Sequence, residues 1–349
     1  MIPTRQTVLE ALARVVDPEL HKPITTLGWV KDVTTHERDV VVTLELPPSA
    51  VATKDVVERA ARQAITAAGA QRIDINFVGP RTGPATAMPQ PGKNLPQVKN
   101  VVAVGAGKGG VGKSTISVNL AIGLQRRGFK VGLMDGDIYG PSVPTLLGIG
   151  GVVPTINGPK ILPHHVHGIH AVTIGSLVEH DKPLIWRGPM AHGAFKQLLL
   201  DNTEWPELDY LIVDLPPGTG DVPLTLCQLL GITGAVVVAT PQRVALDDAI
   251  RAIKMFQQLG APILGMVENM SGDVFGRGGT EQTAADLGLP FLGRLELFAK
   301  LRENSDEGRP HANFEGDPLL RGSLDEIIGN LIEAVTRRNM ESSPTLEIS

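Results

Sequence analysis

One cysteine, Cys227, stands among 349 residues. A single thiol excludes an intrachain disulfide and agrees with a reducing compartment. Basic residues are outnumbered, 32 Lys and Arg against 37 Asp and Glu, for a formal net charge of -5. There is no basic surplus to hold nucleic acid by counterion release, so nucleic acid is not an expected partner. No apolar run is long enough to span a bilayer, and the opening MIPTRQTVLEAL has no apolar signal core. A cytoplasmic protein without a membrane partner is expected. What is present is 42% apolar and 20% charged. That is the profile of a globular protein, long enough for a full α/β domain and a smaller companion.

Residues 1–78 predict a small α-β-β-α-β domain. TRQTVLEALARVV carries apolar positions at helical spacing behind a Thr cap, and DPEL ends it. WVKDV and DVVVTLEL alternate around THER as a hairpin, a helix follows from about Val51 to Ala68, and RIDINFV is the last strand. Residues 79–100, dense in Pro and Gly, read as a linker. From 101 to 340 the runs VVAVGA, KVGLMD, DYLIVD, GAVVVAT and PILGMVEN are continuously apolar, as in parallel strands covered on both faces. Helical stretches separate them, at about Lys113–Arg127, Met190–Leu200, Val222–Leu230 and Val244–Leu259. The order predicts a doubly wound, mostly parallel sheet with ligands at the carboxyl ends of its strands. There is no internal repeat, and residues 341–349 read as a disordered tail.

GKGGVGKS, Gly107 to Ser114, satisfies G-x-x-x-x-G-K-[ST] between a strand and a helix, the context this phosphate loop requires. Backbone N–H groups of Gly107, Lys108, Gly109, Gly110, Val111 and Gly112 can curl around phosphates, aided by the helix dipole. Lys113 would reach the β- and γ-phosphates, Ser114 would supply a hydroxyl to Mg²⁺, and Thr115 would bond the α-phosphate. LIVDLPPG ends a strand with Asp214, suited to a Mg²⁺-bound water, and Gly218 can offer its N–H to a γ-phosphate. LMDGD places Asp135 and Asp137 two apart; in extended chain both point one way, and one can orient an attacking water. The plainer reading has these carboxylates capping turns.

GKGGVGKST, DGDIYGPS, LDYLIVDLPPGTGD, TPQRVALDDA and ENMS, in that order, closely resemble the Mrp-type (ApbC-like) iron-sulfur cluster carrier ATPases of the MinD/ParA group of P-loop proteins. The resemblance covers nearly all of residues 100–320. The N-terminal domain is similar to the small iron-sulfur-assembly domain often fused ahead of them. The resemblance implies a homodimer that binds ATP and Mg²⁺ and hydrolyses ATP. It makes Lys108 a cation lent across the dimer to the other subunit's nucleotide, and Asp137 the residue that positions water. Asn269, in VENMS, matches the adenine reader, and apo iron-sulfur proteins or an assembly scaffold are the implied partners.

The family's C-x-x-C pair, a little after ENMS, is missing: GDVFGRGGTEQ follows at once. LPPSAVATKD, where the N-terminal domain often has a cysteine, has none. Iron-sulfur clusters want four thiolates, and two copies of this chain bring two, with Cys227 read as a core thiol in VPLTLCQLL. Direct cluster binding therefore has no visible ligands. His164, His165, His167 and His170 in PHHVHGIH offer metal-ligand chemistry or a polar edge strand, with His165 and His167 on one face. The alternative function is a MinD/ParA-like positioning switch without a cluster. Yet SLDEIIGNLIEAVTRR mixes acids with bases and reads as a packed terminal helix rather than a membrane anchor. A kinase or reductase component is a third reading, with Arg187 and His192 in WRGPMAHGAFKQLL.

Overall fold

The computed structural model describes residues 3–18, 22–36, 38–45, 54–78, 95–137, 140–152, 155–157, 160–173 and 202–342. The helix at 190–200, the segment with Arg187 and His192, residues 79–94 of the linker, and residues 343–349 lie outside this set. Contacts divide the chain into two compact units, Met1–Thr86 and Ala87–Ser349.

In the first unit, helix α1 (Arg5–Leu12) starts at Thr4, whose side chain and that of Thr7 reciprocally satisfy each other's backbone N–H. Strands β1 (Val30–His36) and β2 (Asp39–Glu45) pair antiparallel, and β3 (Arg72–Val78) lies parallel to β2. The intervening helix α2 is Lys54–Ala67. Val8 and Leu12 of α1 meet Val33, Val40, Val42, Leu44, Ala61 and Ile65 in one apolar core.

The second unit is a doubly wound sheet. Its parallel strands are β4 (Val98–Gly105), β5 (Val131–Asp135), β9 (Ile169–Thr173), β10 (Leu208–Asp214), β11 (Gly234–Ala239), β12 (Ile263–Ser271) and β13 (Phe291–Glu296). A short antiparallel edge strand, β8 (His164–Val166), completes the order β13-β12-β11-β4-β10-β5-β9-β8. Strands β6 (Thr155–Asn157) and β7 (Lys160–Leu162) make a separate ribbon.

The helices of this unit are α3 (Lys113–Arg126), α4 (Val143–Leu146), α5 (Asp221–Leu230), α6 (Arg243–Gln258), α7 (Gly279–Asp286), α8 (Ala299–Asp306) and α9 (Pro318–Ser342), with a 3₁₀ turn at Pro310–Phe314. Successive residues of β4 serve opposite faces. Val102 and Val104 join α3 and α9 in one core, whereas Val101 and Ala103 join α5 and α6 in the other. This two-sided burial is why the strands read as unbroken apolar runs.

Two boundaries differ from the sequence expectation. Strand β4 begins at Val98, inside the predicted linker, because Val98 is buried and pairs with Leu208 while the buried Asn100 amide donates to the Asp209 carbonyl. Helix α9 runs to Ser342, two residues into the predicted tail.

Candidate nucleotide-binding site

The loop between β4 and α3 is shaped by glycines that no other residue could replace. Gly110 and Gly112 hold φ of 80° and 81°, the left-handed region that only glycine enters freely. A Cβ on Gly107 would lie 2.0 Å from the Asp248 carbonyl oxygen of α6. The first turn of α3 has no side-chain cap, so its N–H groups open toward a cleft of about 330 Å³. It is lined by the loop from Lys108 through Thr115, Val111 excepted, and by a second set of residues, Asp137, Gly140, Ser142, Leu146 and Pro217.

Lys113 and Ser114, which line it, converge on Asp214 behind them. Asp214 ends β10 and is wholly buried. Lys113 Nζ lies 2.8 Å from Asp214 Oδ1, and the Ser114 hydroxyl donates to Oδ2 at 2.6 Å. Ser117, one turn along α3, donates to Oδ1 at 2.7 Å. Three donors thus satisfy the buried carboxylate. A carboxyl group beside a serine hydroxyl is a hard-oxygen pair that fits Mg²⁺.

Asp135 and Asp137 part company. Asp135 closes β5 directly across from Asp214 in the parallel register, and its Oδ1 accepts the Asp137 N–H at 3.0 Å. It caps its turn, the strand ends at it, and Asp137 alone of the two lines the cleft. Burial first, and the neighbouring Asp214 charge second, push the Asp135 carboxyl up to about 7 against the pull of the Asp137 N–H and Lys113. Its Oδ2 is buried with no hydrogen-bond partner among the described residues.

Lys108 is half-exposed on the cleft rim and has no hydrogen-bond or ion-pair partner among the described residues. Gly218 departs from expectation: its N–H donates to the Ala106 carbonyl at 3.0 Å, so it is engaged with the loop and not offered to a phosphate. Asn269 sits beneath the loop at 3% exposure, donating from Nδ2 to the Val111 carbonyl at 2.8 Å, and its Oδ1 has no partner. One N–H of the amide thus tethers the loop, and Asn269 is not among the residues that line the cleft. A Cβ on Gly112 would lie 2.1 Å from Asn269 Nδ2, a second reason for glycine there.

Two contributors escaped the sequence reading. Ser117 is signalled by its spacing, four residues after Lys113 on one helical face. Glu268, a carboxylate inside the apolar run of β12, is wholly buried. It accepts from the Ser271 hydroxyl and from the N–H groups of Gly278 and Thr280.

The histidines do not form a cluster of ligands. Strand β8 ends at Val166, and His167 enters a left-handed turn at φ 50°, so His165 and His167 leave the shared face expected of them. His165 faces His170, with ring centroids 5.0 Å apart, and His167 faces His311 at 5.2 Å. Among the described residues no group of three or more His, Cys, Asp or Glu side chains could hold a metal ion.

Comparison with known proteins accounts for this architecture. The NUBPL iron-transfer P-loop NTPase profile matches residues 97–332, and the iron-sulfur cluster assembly protein profile matches residues 5–75. This chain belongs to the NUBPL/ParA iron-transfer P-loop NTPase family. An iron-sulfur cluster carrier protein of Synechocystis is 43% identical over 323 residues, covering 88% of this chain and 91% of its own. That of Deinococcus radiodurans is 41% identical over 349 residues and 97% of each chain. Among solved structures, a nucleotide-binding protein of Archaeoglobus fulgidus in complex with ADP superposes with a TM-score of 0.57 at 34% identity, over 64% of this chain and 92% of that one. The cell division ATPase MinD of Pyrococcus furiosus, at 20% identity and a TM-score of 0.55 over 67% of this chain and 99% of its own, shares the fold.

Within this iron-transfer NTPase the lone thiol is unsuited to a cluster. Cys227 is fully buried on α5, and burial pushes its pKa up to about 12. A thiol held protonated in an apolar core is neither nucleophile nor ligand.

Proposed function

We propose that this protein is an ATP-hydrolysing homodimeric switch acting in iron-sulfur cluster assembly or carriage in the cytoplasm. The observation that supports it most is the convergence of Lys113 and Ser114, in a glycine-built cleft, on Asp214 behind them, in a chain of the iron-transfer NTPase family. The loop amides and Lys113 grip the phosphates of ATP, and Asn269 reads the adenine edge. Ser114 and Asp214 hold Mg²⁺, which when bound neutralises phosphate charge. Asp137, which lines the same cleft, orients the attacking water. Lys108 is the cation that reaches the nucleotide of the partner subunit, where it offsets charge that builds in the transition state.

Closing and reopening of the dimer with the γ-phosphate is then sensed by apo iron-sulfur proteins or by an assembly scaffold. Those partners bring the thiolates, because this chain has a single buried one. The missing thiolates also favour, as a second reading, a cluster-free switch of the MinD kind. Among the described residues no helix is long and apolar enough to cross a membrane, and ATP-dependent sedimentation with liposomes would select that second reading.

Nucleotide binding and Mg²⁺-dependent hydrolysis, measured on wild type and two lysine variants, test the main one. Lys113→Ala is expected to weaken ATP binding at least ~100-fold, by loss of a charge-assisted contact. Lys108→Ala is expected to leave binding within about threefold and to lower hydrolysis by roughly 10³, as loss of an arginine finger does. Equal hydrolysis by wild type and Lys108→Ala would remove the role in trans.

A further inference from the structure

The two sets of residues that line the cleft belong to different segments, and hydrolysis requires them to stay in register. A chain of three buried asparagines joins one set to the brace of the other. Asn119 on α3, Asn313 in the 3₁₀ turn and Asn304 on α8 are 2%, 0% and 0% exposed. Asn304 Nδ2 donates to Asn313 Oδ1 at 2.9 Å, and Asn313 Nδ2 donates to Asn119 Oδ1 at 2.9 Å. Asn119 Nδ2 then donates to the carbonyl of Thr115 at 2.8 Å, on the cleft wall. All three bonds run in one direction, so each amide polarises the next.

The far end of the chain closes on α4. The Arg309 N–H donates to the Asn304 carbonyl at 2.9 Å, which turns the backbone at Gly308, φ 64°, against Gly148. The approach is so close that a Cβ on Gly308 would lie 2.3 Å from Gly148 Cα and 3.2 Å from the Thr145 carbonyl oxygen. Leu147 alone separates Gly148 from the end of α4, and Ser142 and Leu146, the N-cap and the last residue of that helix, line the cleft together with Asp137. His167 adds a second hold on this stretch through its Nε2, 3.0 Å from the Leu147 carbonyl oxygen. Leucine would fill the same space at no desolvation cost, whereas buried amides call for partners, and here both groups of Asn119 and Asn313 have them while Asn304 Oδ1 has none among the described residues. Here the pairing specifies the distance between the phosphate loop and α4.

We infer that Asn313 is a positioning residue for ATP hydrolysis: through Asn119 and Asn304 it sets α4 against the phosphate loop. It touches no reacting atom. The inference rests on the ATPase reading above and extends it to residues remote from the cleft.

Single-turnover hydrolysis of Mg²⁺-ATP and equilibrium binding of a fluorescent ATP analogue, on the full chain, form the test. The proteins are wild type, Asn313→Ala, Asn119→Ala, the double variant, and Asn313→Ser, whose hydroxyl can be satisfied by water should the alanine variant fail to fold. Asn313→Ala or Asn313→Ser is expected to slow hydrolysis roughly tenfold with affinity kept within about twofold, a loss confined to the transition state. The double variant is expected to be no slower than the slower single one, because the residues act as one link. Wild-type rates in folded Asn313 variants, rate and affinity falling together with the folded fraction, or fully additive single losses would each overturn the inference alone. A wild type that binds no ATP would instead overturn the ATPase reading, and this inference with it.

Discussion

Asp135 and Asp214 end neighbouring strands side by side, and of the two only Asp214 has cationic and hydroxyl partners. The cost of that asymmetry falls on Asp135, whose carboxyl is pushed from 3.8 to about 7. An acid with a raised native pKa binds more protons folded than unfolded between those two values. Stability from this group therefore declines as pH rises from 3.8 to about 7 and stays lost above it. Asp135→Asn keeps an oxygen for the Asp137 N–H and carries no charge. In buffer containing a chelator it is expected to melt about 3 °C above wild type at pH 8, with the gap closing toward pH 5. Melting curves that stay parallel across that range would show that the raised carboxyl has no hold on stability.

At the scale of elements, α7 depends on one side chain. Its N-terminus begins at Gly278, φ 78°, which has no side chain to cap with, and Glu268 reaches from β12 to take the N–H groups of Gly278 and Thr280. Each such charge-assisted bond is worth about 1.5–3 kcal/mol, and removing the acceptor strands buried donors. Glu268→Ala is therefore expected to speed amide exchange at Gly278 and Thr280 by roughly 10- to 100-fold, with little change at the amides of β4. Unchanged exchange there would mean that the turn at Gly272 and Gly276, closed by its own two backbone bonds, carries α7 unaided.

The same elements mark what could be read before folding. The runs LIVDLPPG and GKGGVGKST declare strand, turn and helix by local chemistry, and the burial of β10 and α3 follows from it. PHHVHGIH is legible as a polar edge strand, and β8 is one, although it stops at Val166; β9 beside it is too short for a period to show. The proximity of Asp135 to Asp214 arises from strand pairing between distant segments. The Ala106 bond that occupies Gly218 arises in the same way, from the packing of one strand-end loop on another. Neither leaves a trace in a window of sequence. Asn269 was visible as a strand-end amide, but its tether to Val111 was not.

For the whole molecule, Cys227 is a reporter rather than a reagent. It lies in the core between the sheet and α5 with no exposure, so a thiol reagent reaches it only when that core opens. Native protein at pH 8 is expected to resist iodoacetamide, and labelling in urea is expected to follow the loss of helical signal in the larger unit. Incubated anaerobically with iron and sulfide and no partner, the chain is expected to show no charge-transfer band. Labelling of the native state, or stoichiometric iron in the purified chain, would contradict a buried, unligated thiol.

The pairing of Lys113 with Asp214 has a consequence for what the cleft ignores. An ammonium already neutralised 2.8 Å away by its own chain is a poor lure for stray sulfate or inorganic phosphate, which would have to break that pair with a handful of contacts. A guest gripped along the whole loop can offset the loss of that pair, so free sulfate is expected to compete only weakly with ATP.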